Sequence, residues 1–213
     1  MIKTILNSQK TLRRKEHIIK SVVFCLLLLF LGGCRFFPNN ELSNLNNQNL
    51  PKLSIENFFS GNLIAKGVIK DYRGTVIRRF KATLDGTWQQ NTLSLKEIWY
   101  WDDGDIQPRD WRWVKTSDHS WLGYADDVNG AAIGLVSGNI TQWQYRMVVQ
   151  SNQFGAIELT MKDVMYLIDD NSMINLIDMY KFGLPVGQVI IHIDRADHQL
   201  KDESFDPTFK LPQ

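Results

Sequence analysis

The chain has 213 residues, with 24 basic and 23 acidic side chains for a formal charge of +1, and it is 44% hydrophobic. That length suits one domain with a sizeable core. The near balance of charge leaves no basic footprint for nucleic acid.

Taken from its start, the chain carries Lys3, Lys10, Arg13, Arg14, Lys15 and Lys20 against a single acid, Glu16, and then the apolar run VVFCLLLLFL at positions 22–31. A membrane-spanning helix needs about twenty apolar residues, so this run is too short. It fits a secretory signal instead: a charged region, a short apolar region, small residues, then cleavage. The order Leu31-Gly32-Gly33-Cys34 resembles the lipobox of bacterial lipoproteins, which implies cleavage between Gly33 and Cys34 and acylation of the Cys34 thiol. Residues 1–33 are therefore expected to be a removable leader, with a membrane as partner through the N-terminal lipid. Two or more acyl chains anchor stably where one does not. Cys25 leaves with the leader, so no disulfide framework is available. Arg35 stands where an Asp often retains such lipoproteins in the inner membrane, and the resemblance implies the periplasmic face of the outer membrane. The remaining 180 residues carry 18 basic and 22 acidic side chains, a formal charge of −4.

Residues 34–52, the acylated Cys followed by RFFPNNELSNLNNQNLPK, read as a flexible tether, since an Asn-rich segment buries too little to offset chain entropy. Residues 196–213, polar and with two prolines, read as a tail. Between them, residues 53–195 are dense in aromatic and β-branched residues. Turn chemistry recurs at Tyr72-Arg73-Gly74, Gln89-Gln90-Asn91, Asp102-Asp103-Gly104-Asp105, Ser117-Asp118-His119, Asn129-Gly130, Ser137-Gly138-Asn139, Ser151-Asn152-Gln153, Asp169-Asp170-Asn171 and Gly183-Leu184-Pro185. These clusters separate about ten strands, and connections so short permit only antiparallel neighbours. A helical turn is expected only near Ile55 to Phe59. The fold class is all-β: a single antiparallel barrel of about eight to ten strands, lipocalin-like in general architecture.

Alternation assigns the faces. In VIRRFKATLDGTW the set Val76, Phe80, Ala82, Leu84 and Trp88 turns inward, and Arg78 shares its parity. Leu93, Leu95, Trp99 and Trp101 share a face with Glu97, and Trp111 and Trp113 share one with Arg109 and Lys115. Trp143, Tyr145, Met147 and Val149 lie together, as do Ile157, Leu159, Met161, Met165 and Leu167 with Asp163 among them. Ionisable groups thus recur on the aromatic face. Isolated buried charge is costly, so they must pair, hydrate, stand at the rims or meet a ligand.

Catalytic motifs are sparse. His17, His119, His192 and His198 give no pair with metal-ligand spacing, and no G-x-S-x-G elbow occurs. Asp102-Asp103 and Asp169-Asp170 read as solvated turns without calcium-loop spacing. Asp126 and Asp127 read as caps of the turn that contains Gly130. Glu97 and Asp163 are the carboxylates that a hydrolytic site would need. No metal and no cofactor are expected.

The phrases FFSGNLIAKGVIKDYRGTVIRRF, DGTW, ADDVNGAAIG, NITQWQYRM and YKFGLPVGQV, in this order after a lipobox, resemble the bacterial lipoprotein family catalogued as domain of unknown function 3833. The resemblance runs from about Phe58 to Ile193, with Val164 where the family pattern implies a Trp. It brings no established activity; members are often encoded near lipid-modifying enzymes, which implies a lipid-related role. The expectation is a barrel that binds a hydrophobic or amphipathic, lipid-like or fatty-acid-like ligand among Arg78, Glu97, Trp99, Arg109, Trp111, Trp113, Tyr145 and Asp163. A non-catalytic envelope scaffold with a protein partner, or a lipid-acting enzyme using Glu97, Asp127 or Asp163, are the alternatives.

Overall fold

The computed structural model describes residues 51–151 and 155–196. Of the two units into which the chain divides, Met1–Glu41 lies outside these residues and Leu42–Gln213 contains them all. The leader, Cys34, the tether up to residue 50, the middle of the Ser151-Asn152-Gln153 turn and the tail beyond Ala196 fall outside the described residues.

A short helix α1 (Ile55–Phe58) precedes ten strands: β1 (Gly61–Asp71), β2 (Val76–Gln89), β3 (Thr92–Trp101), β4 (Ile106–Lys115), β5 (Ser120–Tyr124), β6 (Ala132–Ser137), β7 (Ile140–Ser151), β8 (Gly155–Leu167), β9 (Ser172–Lys181) and β10 (Leu184–Arg195). Each pairs antiparallel with its chain neighbour, and β1 pairs with β10, so the sheet closes into an up-and-down barrel. Closure follows from the sequence: alternating strands, long enough to bury one face and joined by short turns, leave two edges that satisfy each other. The expected turn clusters fall at the strand connections, and the expected faces are the buried ones except at the start of β2, where Val76 is exposed at the barrel end. In β2, Phe80, Ala82 and Leu84 are buried in alternation with Arg79, Lys81 and Thr83.

The two ends of the barrel differ. At one end α1 lies across the opening with Ile55, Phe58 and Phe59 buried. Ser54 caps the helix by accepting from the Asn57 backbone N–H, and Arg195 donates to the Asn57 and Phe58 carbonyls that the helix end leaves open. Glu56 pairs with Lys115 at 2.9 Å, which accounts for a lysine with inward parity in β4. The helix sits this deep because position 86 is glycine: a Cβ there would lie 1.6 Å from the Phe59 carbonyl oxygen. The Phe59 ring meets Trp113 edge-on at 5.0 Å, and the core continues through Leu63, Leu93, Trp121, Trp143 and Met173.

The opposite end carries the turns after β1, β3, β5, β7 and β9. Its inward residues, among them Ile69, Trp99, Trp101, Val149, Ile157 and Met179, are only partly buried. This is the mouth of the barrel.

Candidate functional site

Between plug and mouth lies a cavity of about 70 Å³, lined among others by Glu97, Trp99, Arg109, Trp111, Trp113, Tyr145, Asp163 and Asn175. Seven of the eight residues expected at a ligand site are therefore brought together. Strand pairing does this: Glu97 faces Arg109 directly across β3 and β4, and Leu95 faces Trp111. On the other side of the barrel, Trp143 faces Asp163 across β7 and β8.

The polar groups form two linked sets. Arg109 donates its Nε to Asp127 Oδ2 at 2.9 Å and stands 3.8 Å from Glu97 Oε2, and Trp99 donates its indole N–H to the same Glu97 oxygen at 2.8 Å. Asp163 accepts from the Tyr145 hydroxyl at 3.3 Å and from the Asn175 amide. One guanidinium thus serves Glu97 and Asp127, while Asp163 is held by neutral donors alone. Asp127 Oδ1 and Trp113 Nε1 are buried with no hydrogen-bond partner among the described residues.

Burial governs the acids. It pushes Glu97 up to about 7 against the opposing pull of Arg109 and the Trp99 hydrogen bond, with Asp127 and Asp110 adding a smaller upward push. Burial likewise pushes Asp163 up to about 7 against its hydrogen bonds from Asn175 and Tyr145, while Glu97 adds repulsion. The Tyr145 hydroxyl is held well above its ordinary value, by burial first and by Asp163 second. Two carboxyls that exchange protons near neutrality in one enclosed space can hold a proton or a cation there.

Arg78 stands apart from this group. Its parity is inward, but it lies at the start of β2 next to a register shift opposite Ile69 and Lys70. Near the mouth it reaches Asp103 at 2.7 Å and Asp105 at 3.3 Å, and its guanidinium lies 3.9 Å over the Trp101 ring. Glu97 has Arg109 as its cation, and Arg78 is the one expected ligand-site residue that does not line the cavity. Asp127 also departs from expectation: its carboxylate joins Arg109, and its backbone carbonyl accepts from Val148. Asp126 and Gly130 remain in the connection between β5 and β6. Asn175, 2% exposed, was not among the expected residues. Its parity with Met173, Ile177 and Met179 in β9 is the signal that marks it. Among the described residues no three His, Cys, Asp or Glu side chains cluster as metal ligands.

The sequence profile of a protein of unknown function, DUF3833, matches residues 28–195. The chain belongs to the DUF3833 family. No curated protein matches it. Among solved structures, this DUF3833 chain is similar to a protein of unknown function from the DUF3598 family of Nostoc punctiforme, at 14% identity and a TM-score of 0.48, over 68% of this chain and 50% of that one. It thus spans about half the length of the Nostoc protein. It is also similar to the S-type phycobiliprotein lyase CPES of Guillardia theta, at 8% identity and a TM-score of 0.49, over 72% of this chain and 95% of that one.

Proposed function

We propose that this DUF3833 protein is an acyl-anchored envelope lipoprotein whose barrel holds an amphipathic molecule, with the molecule's polar end in the chamber and its apolar part at the mouth. The observation that carries this reading is the acid-rich chamber enclosed beneath a half-buried apolar mouth. Size supports the division of roles: an engineered cavity of roughly 150 Å³ holds benzene, so 70 Å³ suits a head group of a few heavy atoms. A whole acyl chain must lie largely outside it.

The charge of the chamber indicates the head group. One guanidinium serves Glu97 and Asp127, and Asp163 has only neutral donors. A protonated amine would supply the missing positive charge and drive both raised carboxyls to their ionised form. The aromatic faces of Trp99 and Trp111 add cation–π attraction.

The test is a titration of intrinsic tryptophan fluorescence with dodecylamine, dodecanol and dodecanoate. Dodecylamine is expected to bind at least ten times tighter than dodecanoate. Equal binding of all three would remove the cationic head group and keep the cavity; no response to any of them would replace both with a filled-core scaffold. Anchoring is tested separately. Cys34→Ser is expected to abolish fatty-acid labelling and leave an uncleaved precursor, and normal labelling of that variant would sink the lipoprotein reading.

A further inference from the structure

The exposed large apolar side chains are unevenly placed. Among the described residues Leu135 and Ile168 lie toward the plugged end and Ile133 is 60% exposed on the outer wall of β6, whereas Tyr72, Ile77, Ile106, Phe182 and Leu184 stand around the mouth. Two neighbouring hairpin tips hold the most exposed of them. The pairing of β1 with β10 runs up to Asp71 and Gly187, which sets the turn after β1 beside the turn that starts β10. On these tips Tyr72 is 65% exposed, Leu184 is 68% exposed and Phe182 is 92% exposed.

Phe182 is also in a conformation that disfavours it. Lys181 pairs with Leu184, so Phe182-Gly183 is a two-residue turn. Both residues have positive φ, 52° and 79°, the geometry in which Asn-Gly is preferred. A bulky L-residue is strained there. A side chain that weakens its own turn and buries almost nothing contributes little to the fold, and strained, exposed positions of this kind cluster at functional surfaces.

Basic residues stand beneath the apolar tips. The Lys181 ammonium lies 4.7 Å from the Phe182 ring centre, and the Arg73 guanidinium lies 5.1 Å from that of Tyr72; Lys70 sits one residue before Asp71. The acid among them, Asp71, is occupied in its own turn by the Arg73 and Thr75 backbone N–H groups. On the neighbouring β3–β4 turn, Asp102, Asp103 and Asp105 are engaged by Arg79 and Arg78 of β2. Aromatic and aliphatic tips beside Lys70, Arg73 and Lys181 match the interface of an anionic bilayer, where rings settle at head-group depth and cations reach phosphate. Two separate convex tips do not offer the broad complementary patch, roughly 800 Å² per partner, of a standard protein interface.

We propose that the tips of the β1–β2 and β9–β10 hairpins form a docking lip that inserts Phe182, Leu184 and Tyr72 into the interfacial layer of an anionic phospholipid bilayer. The lip brings the mouth against the lipid surface, so an amphiphile can pass between bilayer and barrel without crossing water. The docking surface stands on its own observations, while the passage of an amphiphile rests on the proposed reading of the chamber.

The experiment uses residues 35–213, which carry no acyl group and retain every residue of the barrel core, in flotation with vesicles of phosphatidylglycerol and phosphatidylcholine and with phosphatidylcholine alone. Binding is expected to favour the anionic vesicles. Phe182→Ser with Leu184→Ser is expected to weaken it at least tenfold, whereas Ile168→Ser at the plugged end leaves it unchanged. Phe182→Asn gives a sharper test, because it should weaken vesicle binding while raising the Tm of the free protein. Undiminished flotation of the double variant, or a lowered Tm for Phe182→Asn, would overturn the proposal. So would Phe182-dependent self-association without vesicles, which would assign the lip to a second copy of the chain.

Discussion

Phe59→Ala is expected to destabilise the barrel by about 3–5 kcal/mol, the range for deleting a fully buried aromatic ring. The ring is 1% exposed and lies between the helix and Trp113, so its loss leaves a void that strand pairing on all sides keeps from collapsing. Gly86→Ala attacks the same contact from the opposite wall: its methyl would overlap the Phe59 carbonyl, so α1 must lift and expose Ile55 and Phe58. Urea unfolding measures both variants. A loss under about 1 kcal/mol in each would show that α1 rests on the barrel without closing it.

Arg109→Met is expected to cost about 2–3 kcal/mol at pH 8, because removing the part-buried cation strands the buried Glu97 and the partly exposed Asp127. Asp127 would lose the donor to Oδ2 while its other oxygen already has none, and Glu97 would lose its cation. Acid reduces the penalty. Glu97 and Asp163 have folded values of about 7 against ordinary values of 4.5 and 3.8. Below those ordinary values both are protonated whether or not the chain is folded, and the barrel keeps its full stability with respect to them. Between them and about 7 the folded chain holds protons that the unfolded chain has released, so stability falls as pH rises through 7. Glu56, which burial would raise but Lys115 and its hydrogen bonds bring below the ordinary value, acts in the opposite sense and loses its contribution as pH drops. The wild-type protein should therefore be most stable in mild acid, and Arg109→Met should approach it there. Glu97→Gln, which removes one of the two released protons, should roughly halve the slope of stability against pH between 5 and 7. Arg109→Met with Asp127→Asn and Glu97→Gln should recover most of the loss at pH 8. Thermal unfolding across pH reads all three, and an unchanged slope in Glu97→Gln would mean that this carboxyl is solvated in the fold.

How far the sequence reveals this molecule depends on the kind of information. Alternation has period two, so it places Glu97, Arg109 and Asp163 on the aromatic face without any knowledge of pairing. It does not fix height along the barrel axis. Arg78 shows the difference: its parity is inward, yet its place at the start of β2 and the adjacent register shift set it at the mouth with Asp103 and Asp105. That Glu97 meets Arg109 depends on the length of the 102–105 turn, which sets the register between β3 and β4. Asp127 escapes the method altogether, since it lies in a connection where alternation carries no meaning. Asn175 was legible by parity, but an amide between apolar neighbours gives no sign of the Asp163 carboxyl on the neighbouring strand, whose register the sequence does not fix.

The number of strands is even, and this fixes where the chain enters and leaves. Leu53 bonds to Gly138 and Arg195 bonds to the end of α1, so both ends of the described barrel sit at the plugged pole and every mouth hairpin is free of them. An acyl group on Cys34 would hold the domain like a bucket by its base. Attachment at that pole would leave the whole rim clear, so the direction in which the barrel empties would be set by the surface that its rim meets.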